Sequence, residues 1–375
     1  MGNSTSVIIT NLNTIGYWIN QIFLPITIIL GTFGNLFNII IFTRPTLRKN
    51  PCALYFLCGS INNFFTLYVT ILSRYLIVGW SINAASYNDL LCKLRNYAIV
   101  IFMNLTLWFV ALASIDRYFA SSPNARLRQL SSLSIARKII IFTVVFTFLI
   151  CLHFLIFLTA SQQSYCQASS FGYAVFFQIF IVLTGSTIPI IVMAIFGILT
   201  VRNVSSIRNR ITPQGDNVQN EPLRANERQM HKMLLMHLLV CLILTVPYGI
   251  TSIYDPVIRY VFLRTPSAYD TAIYNVTLNI TRAMYFTTTI IGFYVYTLTS
   301  PRFSSEFKRC CRYGLKIVLT TTKLIQCLPM RFQEIVLGEN LMNTNSASMT
   351  ASRGKRIILL QREQQQQTAV QTTGV

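Results

Sequence analysis

Residues 97–119 read YAIVIFMNLTLWFVALASIDRYF. No charged side chain interrupts the run from Tyr97 to Ile115, and then Asp116 and Arg117 stand side by side at its end. Crossing the hydrocarbon of a bilayer as a helix takes about 20 mostly apolar residues, so the run has the length of a membrane span. Working outward, comparable runs occur at 17–43, 53–79, 138–160, 171–200, 233–254 and 272–298, with the opening stretch falling in 93–115. Short polar connections separate them. The chain is 53% hydrophobic and only 11% charged, whereas soluble domains carry about 25% charged residues. Inside lipid no water satisfies the backbone, so runs of this length must be helical. The fold class expected is an all-α membrane protein, a bundle of seven transmembrane helices followed by a short cytoplasmic amphipathic helix.

Charge orients the bundle. All of the 31 lysines and arginines except Arg74, Lys93, Arg95, Arg259, Arg264 and Arg282 fall on one side of the spans. That side is expected to be cytoplasmic, with the N-terminus outside and the protein in the plasma membrane. The net charge of +20 then reflects topology and contact with anionic lipid. It does not point to nucleic acid, because the basic residues sort by membrane side and no binding module is visible. The opening MGNSTS fits both a myristoylation pattern at Gly2 and a glycosylation sequon at Asn3. An outside terminus favours glycosylation at Asn3. Asn275 and Asn279 also carry sequons but lie close to the seventh span.

Cys92 precedes the third span and Cys166 lies between the fourth and fifth, both outside, where oxidising conditions permit a disulfide. Cys310 and Cys311 lie beside basic residues just past the last span, which suits palmitoylation. Around them SPRFSSEFKRCCRYGLKIV (300–318) spaces its aromatic and basic residues as an interfacial helix does. The polar stretch 204–226 reads as a loop. Beyond about residue 340 the chain turns to Asn, Ser, Thr and Gln, which reads as disordered; its TTGV ending offers a PDZ-type match. His153, His231 and His237 are scattered, with no metal spacing, nucleophile motif or phosphate loop. No catalytic residue, metal or cofactor is expected, and His231 and His237 are read as merely polar.

Seven spans, Asp116-Arg117-Tyr118 after the third, Gly34-Asn35 in the first, Pro189 in the fifth, Pro247 in the sixth, Tyr296 near the end of the seventh and Phe303 just beyond resemble the rhodopsin-like G-protein-coupled receptors. Cys92 stands 25 residues before Arg117, the spacing that family uses. The resemblance covers about 20–312. It implies an extracellular N-terminus at 1–16, a receptor domain at 17–303 and a cytoplasmic tail at 304–375. It also implies an extracellular ligand, a heterotrimeric G-protein and an arrestin-like partner, beside the PDZ-type partner that the TTGV ending suggests. Arg117 is expected to pair with Glu227 across the third and sixth spans. Asn35 and Asn63 are expected to face the interior near Tyr296, and Pro247 to kink the sixth span.

Departures accompany it. Asn63 stands where an Asp is usual, Thr245 replaces a Trp, and GFYVY (292–296) replaces NPxxY. Ile99 occupies the third-span position where amine receptors carry an Asp. The outer halves of the spans instead hold Arg74 and Arg282, suited to an acid or a peptide carboxylate. Tyr248, Tyr285 and Gln178 are expected as liners. Two alternatives remain open: a non-coupling decoy receptor of the same fold, and a multi-span transporter or channel.

Overall fold

The computed structural model describes residues 2–322, apart from 46, 84, 86, 87, 162–164, 211–220, 259–261 and 263. The chain divides into two compact units, Met1–Ser305 and Glu306–Val375. Among the described residues of the first run seven long helices: Gly2–Phe42, Pro51–Trp80, Asp89–Ser121, Leu133–Phe157, Phe171–Ser205, Glu221–Pro256 and Ala268–Thr299. A further helix spans Pro301–Thr321. In its Glu306–Val375 part Cys310 is half-buried and Cys311 exposed.

The punctuation is written in the loops. Asn50, Asn88, Ser132, Ser170 and Ser267 each cap the helix that follows by accepting a bond from its first turn. Pro51 stands in the first turn of its helix, where no amide hydrogen is needed. Ser267 and Asp270 form a reciprocal capping box at the start of the seventh helix.

Six of the helices are long and apolar enough to cross a membrane. The seventh, Ala268–Thr299, is rich in Thr, Asn and Tyr and falls below that threshold. Its hydroxyls are absorbed by its own backbone: Thr281, Thr287 and Thr297 donate to the carbonyls of Thr277, Ala283 and Phe293. It packs between the first and sixth helices. The fourth helix is the opposite case. Ile141, Phe142, Val145, Phe146 and Leu149 are all exposed on it, an apolar face of the kind that lipid covers.

The interior is polar at the helix crossings, as in membrane bundles where hydrogen bonds hold helices together. Asn62 donates to the Phe102 carbonyl at 2.9 Å and to Thr106 at 3.1 Å. Asn35 donates to the Thr289 carbonyl at 3.0 Å. Gly31 permits a close approach: a Cβ there would lie 2.5 Å from Ile290 and 2.7 Å from Leu67.

One expectation changes here: the stretch 204–226, read as a loop, is helix at both ends, up to Arg210 and again from Glu221. Residues 2–16 are helical in continuity with the first span, and Pro247 lies within the sixth helix. The side chain of Asn3 and the whole of the PDZ-type ending lie outside the described residues.

Candidate functional site

At one end of the bundle a two-stranded antiparallel hairpin, Leu158–Ser161 with Tyr165–Ala168, lies against the third helix. A disulfide joins Cys92 to Cys166. Asn96 reinforces it, donating to the Cys92 carbonyl and to the Cys166 sulfur, each at 3.0 Å. Asp89 accepts the Ala160 amide at 3.0 Å and pairs with Lys93 at 2.7 Å.

Below this hairpin a cavity of about 290 Å³ opens between the helices. The third helix presents Arg95, Asn96, Ile99, Val100, Met103 and Asn104 to it, the i, i+4, i+8 rows of one face. The second helix adds Thr70 and Arg74, the fifth Gly185 and Ser186, the sixth Tyr248, and the seventh Arg282, Tyr285 and Phe286. Two of these helices carry π-turns, Leu67–Leu72 and Leu183–Thr187, which hold Thr70, Gly185 and Ser186. Such turns rotate the residues that follow and concentrate at functional sites. The Tyr248 and Tyr285 rings stack at 4.7 Å and 8°, and the Tyr285 hydroxyl donates to the Gly185 carbonyl at 3.1 Å.

The three arginines differ in state. Arg74 is clamped: its Nε donates to Asn20 at 3.1 Å and its Nη2 to Asn279 at 3.0 Å. It ties the first, second and seventh helices together while it also lines the cavity. Arg95 donates to Ser73 at 3.3 Å. Among the described residues Arg282 makes no hydrogen bond or ion pair, and no Asp or Glu lines the cavity. Gln178 does not line the cavity; its amide donates to the Ser252 carbonyl on the sixth helix at 3.1 Å. Asn104, which sequence reasoning passed over, sits on the cavity wall.

At the opposite end Arg117 is 1% exposed and Asp116 5%. Arg117 donates to Asp116 Oδ2 through Nη2 at 2.6 Å and Nε at 3.1 Å, and to Asn50 at 3.3 Å. Asn50 is the cap of the second helix. Asp116 also accepts from Ser131 at 2.8 Å, just before the fourth helix. The Asp–Arg pair thus joins the third helix to the starts of two others. Tyr118 packs edge-on to Phe196 at 5.4 Å. The Glu227 side chain, the expected partner of Arg117, lies outside the described residues.

Asn35, Asn63 and Tyr296 do not bond to one another. Asn35 reaches Thr289, while Asn63 accepts from Thr106 at 2.9 Å. Asn62 is the more buried neighbour. Tyr296 bonds His237 Nδ1 at 2.7 Å, both buried, inside a cage of Phe42, Phe56 and Phe303. His237 is therefore an interior contact between the sixth and seventh helices rather than a peripheral polar residue.

A helical membrane bundle, a disulfide-pinned hairpin over a cavity and a buried Asp–Arg pair at the far end together define a receptor of seven transmembrane helices. Residues 34–296 match the family described as 7 transmembrane receptor (rhodopsin family), and the chain belongs to it. Receptors of this family are generally not enzymes. A comparison with curated proteins gave no match.

Proposed function

We propose that the chain is a plasma-membrane receptor for an acidic ligand, either a peptide carboxylate or a small acid, that signals to a heterotrimeric G-protein. One observation carries the ligand class: a cavity with Arg74, Arg95 and Arg282 on its wall and no carboxylate among its described lining residues. A biogenic amine finds no counter-ion there. A guanidinium away from water is costly unless solvated or paired, and a carboxylate meets it bidentately. The position of most basic residues supports an outside disulfide end and an inside Asp116–Arg117 end. On that topology Asn3 is a glycosylation acceptor, and the tail from 304 carries Cys310 and Cys311 for palmitoylation and segments for arrestin-like and PDZ-type partners. Residues 1–16 form the outer segment and 17–303 the receptor domain.

Coupling is assigned to Asp116, Arg117 and Tyr118. Arg117 leaves Asp116 and Glu227 when the sixth helix moves, a shift between two packed arrangements. Asn35, Asn63, Pro247 and Tyr296 transmit that movement. The test is guanine-nucleotide exchange on purified G-protein, with purified receptor challenged by matched acid and amide ligands. Exchange driven by acids alone supports the proposal. Acid binding without exchange makes the chain a decoy receptor, and exchange driven by a simple monoamine overturns the ligand class.

A further inference from the structure

The floor of the cavity says more about the ligand than its arginines do. Asn104 is 4% exposed. Its Nδ2 donates to the Val100 carbonyl at 2.8 Å. That bond fixes the amide, because the reversed orientation would set Oδ1 against a carbonyl oxygen. Oδ1 is buried and has no partner among the described residues.

Neighbouring donors are already committed. The Tyr285 hydroxyl gives its hydrogen to Gly185, and Ser186 donates to Val182 at 2.8 Å. Gly185 keeps the approach open, since a Cβ there would stand 3.4 Å from Asn104 Oδ1. Thr70, 5% exposed on the same cavity, also has an unpartnered hydroxyl. A buried acceptor left unpaired is unfavourable, and an occupant of the cavity that carries a donor can supply the hydrogen.

Resting on the reading that the cavity receives an anion, we propose that its occupant is two-ended: an acid for Arg282 and Arg95, and a hydrogen-bond donor, a phenol or a ring N–H, for Asn104 Oδ1. Along the third helix Arg95 and Asn104 are separated by a rise of about 13.5 Å, a span that a ligand with an acid at one end and a donor at the other must bridge. The volume of about 290 Å³ holds on the order of ten waters. That admits a small aryl acid or one terminal residue of a peptide, and excludes a bulky ligand from full insertion.

The test uses receptor purified into lipid nanodiscs. The probes are 3-(4-hydroxyphenyl)propanoate, its 4-methoxy counterpart, its primary amide, and Gly-Gly-Gly-Tyr with a free or amidated C-terminus. The phenol acid should bind about tenfold or more tightly than the methoxy acid. Asn104→Ala should abolish that preference while leaving methoxy binding in place, which also shows that the variant folds. Should Asn104→Ala fail to fold, Gly185→Ala, which covers Oδ1, should shrink the same ratio. Equal affinity of phenol and methoxy acids, with the amide weaker, overturns this inference alone. Equal affinity of acid and amide overturns the anionic reading instead. No binding of any acid at millimolar concentration overturns both. Tighter binding of the free-acid tetrapeptide than of the small acid assigns the chemistry to a peptide terminus, and the reverse to a free metabolite; phenol dependence in either supports the proposal.

Discussion

The contact between Tyr296 and His237 can be tested without knowing any ligand. Both rings are buried, 2% and 4% exposed, and their polar atoms meet at 2.7 Å. Tyr296→Phe strands Nδ1 of a ring whose Nε2 already has no partner among the described residues, and His237→Phe strands a hydroxyl. Each single change therefore removes the partner of one buried polar atom and should destabilise by about 1–3 kcal/mol. The double variant Tyr296→Phe/His237→Phe leaves neither atom, so its loss should be smaller than the sum of the singles. The non-additivity expected for two groups in direct contact is about 0.5–3 kcal/mol. In thermal unfolding of purified receptor this corresponds to roughly 2–4 °C per kcal/mol, compared at one scan rate because such proteins unfold irreversibly. The measurement is the unfolding midpoint of wild type, both singles and the double. Midpoint shifts that simply add would refute the reasoning, because they would show that the two groups do not depend on one another.

The remaining predictions concern the other contacts. Cys92→Ser should lower stability by about 2–4 kcal/mol and reduce surface expression, read by flow cytometry; unchanged thermal stability would contradict it. Arg74→Ala should lower the unfolding midpoint, since Asn20 and Asn279 lose a shared donor. Arg282→Ala should instead weaken binding of an acidic ligand by about 10–100-fold, matching a charge-assisted bond of about 1.5–3 kcal/mol. Arg282→Lys should recover only part of that binding, because an ammonium lacks the bidentate fork. Asp116→Asn removes the counter-charge of a buried guanidinium and should raise basal nucleotide exchange; Glu227→Ala should act in the same direction, and unchanged basal exchange in both would remove the lock.

Hydropathy made six of the spans legible, because lipid imposes long apolar runs that nothing else in a chain requires; the seventh, rich in Thr, Asn and Tyr, was legible from its scarcity of charge. The ends were less so. Residues 2–16 carry no hydropathy signal for a span, yet they continue the first helix. The cavity was half legible. Arg282, Ile99, Tyr248 and Tyr285 line it, and their depth in the spans is what marked them. Gln178 shares that depth but turns to Ser252, since depth says nothing of rotation about the helix axis. The same phase problem separates Asn62 from Asn63: adjacent residues point about 100° apart, and only packing decides which is buried. The partners of Arg74 lie on the first and seventh helices, and that of Tyr296 on the sixth. Pairings across such sequence distance leave no local pattern. Asn104 did leave one, a lone amide in the apolar run 97–115, where a buried amide demands partners.

The most direct test of an acid-gated receptor is nucleotide exchange on a heterotrimeric G-protein by purified receptor, using an activating acid and its own methyl ester. The acid should stimulate exchange with wild type and lose about 10–100-fold in potency with Arg282→Ala, while the ester stays weak on both. An ester as potent as the acid, or an Arg282→Ala response equal to wild type, would contradict the account.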